Sequence, residues 1–315
     1  MSQYHILDGI LGACIGDALG VPVEFTSREF LETKPVDDMI GYQTHQQPSG
    51  TWSDDSSLMF CLAESLCHGL NYKDIAQRFC RWLSDGYWTP HGKVFDVGYA
   101  TREAILRLAK GVNPIEAGGT LETDNGNGSL MRILPMAYYV NRQLERNKDY
   151  DIYEPIQNVS ALTHAHPRSQ IACSFYIVLC LELLEGYKKQ EAYRRAKERI
   201  IEHYSKLEKY NVELSYFHRI LNGDISEIDE HDIYSTGYVI DTLEASLWCF
   251  LQERTYKDTV LHAVNLGEDT DTTATVAGGL AGIYYGIKEI PTNWIEQLAQ
   301  KEEIYALVNR MEENF

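Results

Sequence analysis

Two short acidic clusters stand far apart in the chain, Ser53-Asp54-Asp55 and Asp269-Thr270-Asp271-Thr272, and together they have the composition of one ligand set for hard divalent cations. Mg²⁺ and Mn²⁺ prefer oxygen donors. Two such ions held side by side need several carboxylates, some bridging, with hydroxyls and water in the remaining positions. Ser53, Asp54, Asp55, Asp269, Asp271 and Thr272 would suit a site for two Mg²⁺ (or Mn²⁺). Each cluster taken singly is also an ordinary helix cap, because Ser, Thr and Asp accept the free N–H groups of a first turn.

The segments that must position these clusters read as helices. After Asp55, Leu58, Cys61, Leu62, Ser65 and Leu66 fall on one helical face. After Thr272, the run Ala274 to Tyr285 contains Gly278, Gly279 and Gly282. Glycine in a helix interior costs about 1 kcal/mol relative to alanine, so three of them predict close approach by another backbone. The simplest arrangement makes the two helices packed neighbours that unite the clusters.

Helical periodicity dominates elsewhere as well. Ile240, Leu243, Leu247 and Phe250 form one stripe, Lys188 to Tyr210 reads as a solvated helix, and Ile171 to Leu184 reads as a buried one. That last segment carries Glu182 and falls short of the roughly 20 apolar residues that span a bilayer, so no membrane partner is expected. No stretch alternates at strand spacing and no repeat is visible. The expected fold is all-α, a dozen or more helices in a single domain over residues 1–315, with no linker dividing it. Segments 26–50, 86–96, 118–128 and 222–237 lack periodicity and are the candidate walls of a cleft.

Charge narrows the partners. The formal net charge is -18, which argues against nucleic-acid binding through a basic surface. The seven cysteines are odd in number, lack C-x-x-C spacing and lie mostly in apolar helical runs. They read as reduced core residues in a cytoplasmic protein. Met1 to His5 offers no basic region leading into an apolar stretch, so no signal peptide is expected.

Further polar residues sit where a ligand would meet them. Asn125-Gly126-Asn127-Gly128-Ser129 precedes a helix expected from Leu130, and its glycines permit either a plain turn or a nest of N–H groups facing an anion. Asp96 caps the helix through Thr101 to Leu108, or turns its carboxylate toward a substrate. His164 and His166 lie between two helices, a position where histidine is commonly structural. Tyr238, and less directly Tyr234, precede the helix that starts at Val239, where an aromatic ring can pack or cover a ligand. Trp52 reads as a wedge fixing the first acidic loop.

Seven separated motifs in order resemble one known family, the ADP-ribosylglycohydrolases. They begin with Gly9-Ile10-Leu11-Gly12-Ala13-Cys14-Ile15-Gly16-Asp17-Ala18-Leu19-Gly20-Val21-Pro22-Val23-Glu24-Phe25, Gly50-Thr51-Trp52-Ser53-Asp54-Asp55-Ser56 and Phe95-Asp96-Val97-Gly98. The loop Asn125 to Arg132, Thr163-His164-Ala165-His166, the stretch Gly237 to Ala245 and the stretch Asn265 to Thr273 complete the set. The resemblance implies an all-α hydrolase that cleaves the bond between the distal ribose of ADP-ribose and an acceptor, with two metals gripping that ribose. It implies that Ser53, Asp54, Asp55, Asp269, Asp271 and Thr272 are metal ligands and that Glu24 is the catalytic or water-positioning carboxylate; Glu24 is the first candidate for the catalytic base and Asp96 the second. It places Asn127, Gly128 and Ser129 at the phosphates and ribose, has His164 hydrogen-bond ADP-ribose, and makes the substrate an ADP-ribosylated protein or small molecule. This chain departs from the pattern at Ser53, where threonine is usual, and at Glu268, where a glycine is frequent. A non-catalytic ADP-ribose binder of the same fold and a two-metal phosphoesterase are the competing readings.

Overall fold

The computed structural model of the chain describes residues 6–315; Met1 to His5, and with them the expectation about a signal peptide, lie outside that range. Among the described residues twelve helices have nine or more residues: α1 Ile6–Gly20, α2 Asp54–Leu66, α3 Tyr72–Asp85, α4 Tyr99–Ala109, α5 Pro135–Arg146, α6 Tyr153–Ala161, α7 Pro167–Leu184, α8 Lys189–Tyr204, α9 Val239–Gln252, α10 Tyr256–Asn265, α11 Thr270–Tyr285 and α12 Lys301–Asn314. The fold is all-α; extended pairing is confined to isolated bridges, two of which, Gly119 with His164 and Gly126 with Tyr238, join loops beside one cleft.

The helices start and stop where local chemistry dictates. Asn71 Oδ1 accepts from the N–H groups of Lys73 and Asp74 to cap α3, which ends at Gly86 with φ 67°. Thr255 caps α10 through a 3.0 Å bond from Asp258 N. One hydrophobic core runs from Ile6 through Trp82, Phe175 and Leu247 to Met311. Among the described residues two stretches are long and apolar enough to cross a membrane by composition, Ile6–Val23 and Pro167–Leu184, and they are 89% and 94% buried within this bundle. Glu182, the one carboxylate in α7, is paired with Arg195 and Arg199 of α8. Helix α8 is shorter and less solvated than its composition suggests: it ends at Tyr204 and buries Ala192, Tyr193, Ala196, Ile200 and Tyr204 along one face.

The glycine-rich face of α11 does meet another backbone, but the partner is α1 and not α2. A Cβ at Gly12 would overlap the carbonyl oxygen of Gly278, and one at Gly16 would overlap that of Ala274. Sequence periodicity located the close approach and assigned it to the wrong neighbour, because Gly12, Gly16 and Gly20 of α1 supply the matching small face at four-residue spacing. This packing brings Glu24, just past α1, beside the N-terminus of α11. Tyr256 of α10 reinforces the pair by donating to the carbonyl of Gly12.

Candidate active site

Both acidic clusters lie at helix N-termini, as expected, and the two termini meet. Ser53 is the N-cap of α2, with Asp54 and Asp55 in the first turn, and Asp269 is the N-cap residue of α11, with Asp271 in its first turn. Thr272 Oγ1 donates to Asp55 Oδ1 at 3.3 Å across the junction. The partial positive charge of each terminus attracts carboxylates, yet four aspartates in one buried volume repel one another. Asp54, Asp55 and Asp271 have their carboxyls pushed well up by burial first, with neighbouring carboxylates adding to it. Asp269 is raised by burial and held back by its hydrogen bonds.

Buried Oδ2 of Asp55 and Oδ1 of Asp269 have no hydrogen-bond partner. A carboxylate oxygen left bare in the interior costs free energy unless a cation meets it, so the donor set fits divalent metal: hard oxygens only, several of them unengaged. Glu24, Asp96 and Asp271 also each present an oxygen within 4.8 Å of one another. Glu24 follows the turn Val21–Val23 at the end of α1 and is 5% exposed. Burial pushes its carboxyl up to about 7, a value poised for proton transfer near neutral pH. Asp96 does not cap α4. The cap position is Gly98, without a side-chain bond, because the loop carries Asp96 toward Glu24 instead.

These groups line a cleft of about 400 Å³, within the range of small-ligand sites. Glu24, Asp54, Asp55, Asp96, Asn127, Gly128, His164, Asp269 and Thr272 reach it. Its walls are stitched by main-chain bonds: Phe25 N to Glu268 O at 2.7 Å, Asp269 N to Ser235 O at 3.0 Å, and Asn127 N to Gly237 O at 3.0 Å. Asn127 Nδ2 donates to Asp269 Oδ2 at 2.8 Å and to Thr242 Oγ1 at 2.9 Å, so this side chain fixes a carboxylate. The segment after this loop is not helical from Leu130; α5 starts at Pro135, since Leu130 to Leu134 form turns before the proline sets the first helical φ.

The remaining expected residues surround the cleft. Ser53 Oγ accepts from Asp55 N at 3.2 Å, which is a capping bond. The Ser129 side chain is fully buried, with Cys173 and Ser160 as partners, and the residue does not reach the cleft. Tyr238 is bound at its hydroxyl by Arg168 at 2.9 Å, outside the lining that begins at Gly237. His166 caps α7, its Nδ1 accepting from Arg168 N. His164 is buried, and that burial holds its imidazole near pKa 3, hence neutral. Arg132 donates to Thr163 Oγ1 at 2.7 Å, and that hydroxyl lies 2.8 Å from His164 Nδ1. With the hydroxyl donating to Nδ1, Nε2 carries the proton that can be offered to a ligand.

Two residues of the site escaped sequence reasoning. Asp17, inside α1 and fully buried, accepts from Ser53 N (2.9 Å), Ser56 N (3.0 Å) and Ser56 Oγ (2.6 Å), anchoring the first cluster from behind. Its signal was a carboxylate in an otherwise apolar helix face. His45, on the segment Gln43–His45, bonds the carboxylate of Glu24, and no pattern around it announced that.

With this geometry, the chain matches ADP-ribosylglycohydrolase over residues 2–315. The chain belongs to the ADP-ribosylglycohydrolase family. It is therefore a hydrolase of glycosyl bonds. Among its relatives, the ADP-ribosylarginine hydrolase Tri1 of Serratia proteamaculans (strain 568) is 30% identical over 306 residues, covering 96% of this chain and 77% of that protein. The ADP-ribosyl-[dinitrogen reductase] glycohydrolase of Rhodospirillum rubrum is 29% identical over 302 residues, covering 94% and 91%. A solved ADP-ribosylglycohydrolase-related protein complex superimposes with a TM-score of 0.80 at 32% identity, covering 99% of this chain and 98% of that one.

Proposed function

We propose that this ADP-ribosylglycohydrolase is metal-dependent and releases ADP-ribose from an arginine side chain of a modified protein. The observation that carries the reading is the pair of bare, buried carboxylate oxygens on Asp55 and Asp269, two residues that line the same cleft as Glu24 and Asp96. Ser53, Asp54, Asp55, Asp269, Asp271 and Thr272 would hold two Mg²⁺ or Mn²⁺. Bound there, the ions would supply positive charge to orient the vicinal hydroxyls of the distal ribose.

The chain's own groups supply the rest. Glu24 accepts a proton from the water that attacks the anomeric carbon, and Asp96 faces the positive charge that develops on the ribose as the acceptor leaves. His164 Nε2 and the Gly128 N–H donate to the ADP-ribose oxygens, and no charge is spent by the neutral imidazole. A guanidine leaves with little acid assistance. Arginine is favoured as acceptor by the names of the relatives, two of which act on ADP-ribosylarginine or on modified dinitrogen reductase. The seven unpaired cysteines support a cytoplasmic location.

An ADP-ribosylarginine peptide assayed with each metal tests the reading. Intact ADP-ribose is the expected product; AMP would mean pyrophosphate cleavage, and binding without product would mean a non-catalytic role. Glu24→Gln keeps size and hydrogen bonding, so turnover should fall roughly 10²- to 10⁴-fold while ADP-ribose affinity changes little. Unchanged turnover would remove Glu24 as the base.

A further inference from the structure

We infer that His45 is a positioning residue for Glu24, held by a small hairpin whose backbone is shaped for that task; the inference rests on Glu24 being the base proposed above. His45 Nε2 contacts Glu24 Oε2, occupying one carboxylate oxygen and leaving the other to face the nucleophilic water. The same hairpin grips Glu24 a second time, through Thr44 Oγ1 donating to its carbonyl at 3.0 Å. A carboxylate on a rotatable side chain transfers protons efficiently only when its orientation is fixed, and bonds at both the backbone and one oxygen fix it.

The surroundings of His45 are built rather than incidental. Its ring lies between Phe25 and Phe95, at centroid distances of 6.1 and 5.3 Å. Phe25 follows Glu24 and Phe95 precedes Asp96, so one imidazole bridges the two loops that carry the two carboxylates. The hairpin closes through the Tyr42–Gln47 bridge and through Gln47 Nε2 donating to His45 O at 3.1 Å. Within it Tyr42 (φ 70°), Gln43 (φ 46°) and Gln46 (φ 54°) are all left-handed without being glycine, and Phe25 opposite has φ 64°. Four such residues around one side chain is the concentration of backbone strain expected where geometry serves function.

Three variants of the full-length protein test the inference with ADP-ribosylarginine peptide as substrate. His45→Phe keeps an aromatic ring between Phe25 and Phe95 and removes the donor; kcat should fall roughly 10- to 100-fold with KM within about threefold. His45→Gln places an amide nitrogen near the Nε2 position and should recover most of that loss. In the Glu24→Gln background, His45→Phe should have no further effect, because it acts through a carboxylate already removed. A His45→Phe enzyme with wild-type kcat, a failure of glutamine to rescue, or an additive loss in the double variant would overturn the positioning role. Glu24→Gln alone reports separately on the base: if it keeps full turnover, the proposed function of Glu24 falls whatever His45 does.

Discussion

Replacing Asp17 by asparagine probes the anchor beneath the first acidic cluster. The carboxylate receives three hydrogen bonds, from Ser53 N, Ser56 N and Ser56 Oγ. Asparagine has one acceptor oxygen, so its NH₂ would face Ser56 N, donor against donor, while the Ser56 hydroxyl can turn to accept. One buried donor left unmet costs roughly 1–3 kcal/mol. Against this stands the cost of the buried charge: burial pushes the Asp17 carboxyl from an ordinary 3.8 up to about 6. At about 1.4 kcal/mol per tenfold this amounts to about 3 kcal/mol by neutral pH. The two effects nearly cancel at pH 7, and the sign of the pH dependence separates them. Because the folded-state pKa is raised, the folded protein binds the extra proton between the two values, and stability falls as pH rises through about 4 to 6. Wild type should therefore exceed Asp17→Asn in stability by about 1 kcal/mol more at pH 5 than at pH 7. Urea unfolding in chelator at both pH values measures the gap. The Asp17 charge also helps raise Asp54, Asp55 and Asp271, so its removal relieves their carboxyls and moves the gap in the same direction. A gap that is constant or that widens at pH 7 would refute the reasoning. The same variant should bind Mg²⁺ or Mn²⁺ more weakly by calorimetric titration, although Asp17 itself is not among the expected ligands.

Gly16→Ala places a methyl group against the carbonyl of Ala274 in the α1–α11 seam, where backbone rather than a flexible side chain must yield. A loss of roughly 1–3 kcal/mol is expected, seen as a melting temperature lower by several degrees; an unchanged melting curve would mean the two helices are not in contact as described. Ser53→Ala removes the cap on Asp55 N and should cost about 0.5–2 kcal/mol without metal. With excess Mg²⁺ the loss should be larger if the hydroxyl is also a ligand, and equal melting shifts in both conditions would leave it a cap alone.

The meeting of the two acidic clusters was more legible than the helix packing behind it, and the reason is physical. Asp54, Asp55, Asp269 and Asp271 announce themselves because helix starts with several carboxylates are costly unless something offsets their charge, and that cost is written in residue types along a few positions. The all-α fold was legible for a similar reason: a 3.6-residue period is local. Partnership between helices is not local. Glycines in α11 required a close neighbour, and the matching small face lies in Gly12, Gly16 and Gly20, but only surface matching between α1 and α11 identifies it. Asp96 shows the same limit at the scale of a loop, where a carboxylate two residues before the cap position Gly98 looks like a cap until the chain turns it toward Glu24. His45 marks the far end of this range. It lies 21 residues from the carboxylate it holds, on a hairpin made from residues with no turn preference, so neither spacing nor propensity could select it. Asp17 could have been selected: a carboxylate among Ile10, Leu11, Cys14, Ile15 and Leu19 cannot be buried without donors, and unpaired donors are what the start of α2 presents. Matching a buried acceptor to the N–H groups that a single cap leaves unmet at a helix start is a rule that operates on residue types alone, and in this chain it joins α1 to α2 through Asp17.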